Sequence, residues 1–135
     1  MANVWSGGLG LLLVLSSQWG ALAQSSNEEL RKRYIGCAAL FGAVSTMVPD
    51  GKAKDNLATA SILLLTWANE VNVGQPAKKG VDQIMRELER RMTELAPDIK
   101  VGAPTAAKDF GAKHGGELKS CQSLYFAELK KRKGQ

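Results

Sequence analysis

The sequence predicts an all-α protein, an antiparallel four-helix bundle stapled by one disulfide, and three observations carry that expectation. Apolar side chains recur at alternating steps of three and four in four separate stretches. Proline and glycine punctuate the chain between them, at Pro49-Asp50-Gly51, Gly74-Gln75-Pro76 and Pro97. The only two cysteines, Cys37 and Cys121, fall inside the first and last of these stretches. No strand-like alternation, internal repeat or low-complexity run competes with the helical pattern.

The first two dozen residues read differently. Residues 1–23 carry no charged side chain, have an apolar run from Leu9 to Leu15, and end in Ala21-Leu22-Ala23. An A-x-A site after a short apolar core is the pattern of a secretory signal peptide. The run is too short and too interrupted, by Gly7, Gly8, Ser16, Ser17 and Gln18, to span a membrane. Cleavage is expected after Ala23, with an uncleaved anchor as the alternative, and leaves residues 24–135 as a single exported helical domain with a basic C-terminal tail. No stable membrane insertion is expected after cleavage.

Within that domain Ser26 stands three residues before Glu29, a capping box at the head of the first helix. The stripe is Leu30, Tyr34, Cys37, Phe41, Val44 and Val48. A second helix is expected from about Lys54 to Val73, with Leu57, Ala60, Leu64, Trp67 and Val71 inward. The third stripe is Val81, Met85, Leu88, Met92 and Leu95. The segment from Asp98 to Gly116 reads as a loop, a short extra helical piece near Thr105 to Lys113, and a break at Gly115-Gly116. The last helix carries Leu118, Cys121, Tyr125 and Leu129.

Export and the two inward cysteines together predict a Cys37–Cys121 bridge. The second helix raises a different matter, because Ile62, Leu63, Leu64 and Leu65 follow one another and Ile62 points nearly opposite to Leu64. Either this helix is enclosed on all sides or its outer face meets another molecule. Self-association through Ile62 and Leu65 is expected, and the protein is read as a homodimer.

The catalytic inventory is sparse. His114 is the only histidine, and neither G-x-S-x-G nor a cysteine-protease signature is present. No metal is expected: Cys-x-x-Cys is absent, and the residue three before His114 is Gly111, so a Glu-x-x-His pair fails. No cofactor is expected either. The one alternative is haem, held by Met47 and His114, which an antiparallel bundle places at the same end. The formal net charge is +5, and Lys130, Lys131, Arg132 and Lys133 supply most of it. That is a local tail, solvated or touching an anionic membrane or cell-wall polymer, and nucleic acid is not an expected partner. On the third helix Glu87 and Arg91 are spaced for an i,i+4 pair. A protein-binding surface is expected on the Asp98 to Gly116 connection, through Asp98, Lys100, Lys108, Asp109, Lys113 and His114.

The segment YIGCAALFGA around Cys37, and Cys121-x-x-Leu124-Tyr125 followed by Glu128-Leu129, resemble the small periplasmic immunity proteins that neutralise type VI secretion amidase effectors. Ser120, Ser123 and Phe126 stand where that family usually has lysine, an acidic residue and histidine. The resemblance implies a non-enzymatic, dimeric inhibitor that occludes a peptidoglycan amidase. A generic periplasmic structural or chaperone-like bundle is the alternative.

Overall fold

A computed structural model of the chain describes residues 27–71 and 77–134. The expected leader, the expected Ser26 cap and the Gly74-Gln75-Pro76 stop lie outside the described residues. The described residues form four helices: α1 (residues 27–47), α2 (Lys52–Glu70), α3 (Ala77–Leu95) and α4 (Ala106–Lys133). A 3₁₀ turn, Ala96–Asp98, follows α3.

Side-chain contacts fix the topology. Ser61 on α2 donates to the Ala38 carbonyl at 2.8 Å, and Tyr34 packs edge-on against Trp67, so α1 and α2 run antiparallel. Arg132 near the end of α4 bonds Glu70 at the end of α2, which makes those two helices parallel. Arg31 reaches Glu87, and Cys37 and Leu40 share a surface groove with Arg91, so α3 runs with α1. The result is an up-down-up-down bundle.

α1 is the enclosed helix. Tyr34, Ile35, Cys37, Ala38, Ala39, Leu40, Phe41 and Ala43 are all buried, far more than the single stripe expected. The sequence GCAALFGA permits this because small side chains let three neighbours approach on different sides. At Gly42 an added Cβ would sit 3.6 Å from the Ser61 hydroxyl. The helix stops where Ser45 and Thr46 turn their hydroxyls onto the carbonyls of Gly42 and Ala43, each at 2.6 Å, just ahead of Pro49. Gly51 then takes φ 148°, a backbone conformation that side chains resist, and opens α2.

α2 buries Ala60, Leu64 and Trp67, with Leu57 and Val71 partly buried, which is the expected stripe. Enclosure belongs to α1 and not to α2, since Ile62 is 65% exposed. Leu65 was expected outward with Ile62, but it packs partly against the core.

α3 keeps the expected Leu88, Met92 and Leu95 inward, but its first turns depart from the expected face. Ile84 and Leu95 are buried and Leu88 and Met92 partly so, whereas Val81 and Met85 are exposed. The reason is polar: Glu87 and Arg91 turn inward, to Arg31 on α1 at 3.1 Å and to Glu117 on α4 at 2.6 Å. The expected Glu87–Arg91 pair is replaced by these links between helices.

The expected break before the last helix is also corrected. Only residues 99–105 form a connection, and α4 continues through Gly115 and Gly116. What remains of the break is a kink at His114, where φ −110° and ψ 15° leave the helical range. Phe110, 1% exposed, holds the first part of α4 onto the core, so the short helical piece merges with the last helix. Cys37 and Cys121 form the disulfide, with their Cα atoms 5.3 Å apart. Among the described residues no helix is long and apolar enough to cross a membrane.

Candidate functional site

At the end of the bundle where α1 and α3 finish, the 3₁₀ turn delivers Asp98 to the kink in α4. Pro97 starts that turn, and Ile99 leaves it in extended conformation. The next residues are held by backbone bonds, Ala103 to Lys100 and Ala106 to Ala103. Gly102, at φ 88°, provides the left-handed residue the turn requires. Thr105 then donates to the Asp109 carboxylate at 2.9 Å and steadies the first turn of α4.

Asp98 receives two partners from α4. Lys113 Nζ lies 2.8 Å from Oδ1, and His114 Nε2 lies 2.9 Å from Oδ2. The carboxylate accepts, so Nε2 carries the proton. The Lys113 bond, followed by the His114 bond, holds the Asp98 pKa below its ordinary value of 3.8. His114 also stacks on Phe110 at 4.4 Å, and its Nδ1 faces Glu117 at 3.8 Å. Glu117 continues to Arg91, and Arg91 to Glu94, so alternating charges run from the turn down the seam between α3 and α4.

The structure therefore brings together three of the six expected binding residues, Asp98, Lys113 and His114. Lys100, Lys108 and Asp109 are exposed nearby and outside that cluster. The kink explains the grouping: one non-helical residue tilts α4 so that both Lys113 and His114 address one carboxylate. For haem, the geometry is unfavourable, because His114 Nε2 already donates to Asp98 and Met47 packs against the core. Among the described residues no group of three His, Cys, Asp or Glu side chains is placed to hold a metal ion.

Two further features escaped the sequence reading. In the Arg31–Glu87 pair Arg31 is buried, at 5% exposed, and Glu87 is half-buried. Arg31 stands four residues before the buried Ile35, so helical spacing alone places it on an inward face. At the far end Arg132 leaves the basic tail, bonds Glu70 at 2.5 Å and Glu128 at 2.9 Å, and lies 4.8 Å above the Trp67 ring. Trp67 in turn stacks on Tyr125. Burial first, then the Glu128 carboxylate, pushes the Tyr34 pKa above 10.0.

Two grooves open on the surface. One of about 270 Å³ lies between α2 and α4 and is lined by Phe41, Leu57, Tyr125, Phe126 and Leu129 among others; Phe126 is 63% exposed. The second, about 200 Å³, runs over the disulfide between Arg33, Arg91 and Glu117. No family model, curated protein or solved structure matches this chain.

Proposed function

We propose that this protein is an exported, non-enzymatic binder that blocks another protein, in the manner of a periplasmic immunity protein closing a cell-wall amidase. The observation that supports this reading is the Asp98–Lys113–His114 corner. It presents a carboxylate, an ammonium and an imidazole in fixed relative positions at one pole of a disulfide-stapled bundle. Such a surface loses little side-chain freedom on binding, because intramolecular bonds already hold its groups. The connection 99–105 beside it adds exposed Lys100 and Val101.

Dimerisation is part of the proposal. Ile62 projects from the outer face of α2 at 65% exposure, and a second copy would cover it.

The test replaces residues 99–105 with a Gly-Ser linker of equal length and leaves α4 intact. Exchanging the whole 98–116 stretch would remove Phe110 from the core and unfold the protein. The expected outcome is loss of inhibition of a co-encoded amidase with helicity and the disulfide preserved. Unchanged inhibition would remove residues 99–105 from the contact and leave it to side chains on the helices, Lys113 and His114 among them.

A further inference from the structure

The topology collects cations from three helices at the pole opposite the Asp98 corner. α1 starts there with exposed Lys32 and Arg33, α3 starts there with exposed Lys78 and Lys79, and α4 ends there with exposed Lys130, Lys131 and Lys133. The exposed carboxylates at this end are Glu28, Glu29 and Asp82, besides Glu70, which holds Arg132. Arg31 is matched by Glu87, and Arg132 is shared between Glu70 and Glu128. Seven cations less three carboxylates and the one surplus glutamate leave +3 of the chain's formal +5. The Asp98 pole is closer to balance, with Lys52, Lys54, Lys100, Lys108 and Lys113 against Asp50, Asp55, Asp98 and Asp109. The charge of the molecule is therefore polarised along the bundle axis.

We propose that this cationic pole docks on the surface of a bilayer containing anionic phospholipid. The placement of the cations favours that partner over a linear polyanion. The cations come from separate helix ends, and the lysines of α4 project in different directions because each residue turns the helix by about 100°. They form a broad end face that fits a plane better than a strand. The interaction is a surface attraction within a Debye length of the headgroups, without insertion of any helix. It leaves the Asp98 corner facing away from the bilayer.

The test uses protein recovered after export of the full chain, in sedimentation with vesicles of phosphatidylcholine alone or mixed with phosphatidylglycerol. Binding to the mixed vesicles should exceed binding to neutral ones at least tenfold at low salt and fall as salt is raised. Lys130→Glu/Lys131→Glu should lower it about tenfold, while Lys52→Glu/Lys108→Glu, with the same change in net charge at the other pole, should leave it within twofold. Equal binding to neutral vesicles, or an equal loss in both variants, overturns the proposal. Capture by soluble polyphosphate with no retention on anionic vesicles overturns it in favour of a polymer. The proposal rests on the placement of charge alone, so the amidase experiment does not decide it.

Discussion

Removing the disulfide should bring this protein close to unfolding, and the size of the effect follows from its topology. Cys37 and Cys121 are 84 residues apart, so the bridge closes most of the described chain into one loop. The chain-entropy relation assigns a loop of that length a stabilisation of about 4.5 kcal/mol. Replacing two buried sulfurs by alanine adds a packing loss of the order of 1 kcal/mol. Net stabilities of domains this small are about 5–15 kcal/mol, so the loss takes a large share. For a domain of about 110 residues it corresponds to a fall in Tm of about 20 °C. The assay is a pair of thermal melts, Cys37→Ala/Cys121→Ala against wild type, each with and without reductant. Reduced wild type should melt within a few degrees of the variant, and the variant should ignore reductant. A variant melting within about 5 °C of the oxidised protein would refute the reasoning, because α1 and α4 would then hold together without the staple.

Other perturbations probe separate parts of the account. The bonds that lower the Asp98 pKa stabilise the fold above pH 3.8 and lose their effect as pH falls through the depressed folded-state value; Asp98→Asn should flatten the acid limb of a pH series of melts between pH 5 and 2, and an unchanged limb would contradict the cluster. Glu87→Ala should cost about 3 kcal/mol in chemical denaturation, since it takes an inward carboxylate from buried Arg31; a cost under about 0.5 kcal/mol would make the pair incidental. Ile62→Lys should shift sedimentation toward monomer, and wild type already monomeric at tens of micromolar would remove the proposed dimer contact.

The sequence was informative where one physical signal acted alone. The α2 stripe and the bridge followed from helical spacing and from two inward cysteines. Reading failed where two signals competed. On α3 the expected stripe holds at Leu88, Met92 and Leu95 and fails in the first turns, where Ile84 is buried in place of Val81 and Met85; that choice was made by charged partners on α1 and α4, which no single-helix pattern contains. At Gly115-Gly116 local propensity argued for a break, but burial of Phe110 and Cys121 on either side of the pair keeps α4 going, with a kink at His114. The enclosure of α1 was visible only as a run of small residues, whose meaning depends on how many neighbours arrive. Half of the expected binding set fell into one cluster because the kink, all that remains of the expected break, aims Lys113 and His114 at Asp98.

The claim on which the function stands is that the Asp98–Lys113–His114 corner blocks a partner enzyme. The most direct measurement is turnover of peptidoglycan by a co-encoded amidase, titrated with wild type and with Lys113→Glu. Near-stoichiometric inhibition by wild type, weakened at least tenfold by the variant with its circular dichroism unchanged, is the expected result. Full activity of the amidase in the presence of wild type, or equal inhibition by both proteins, would contradict the claim.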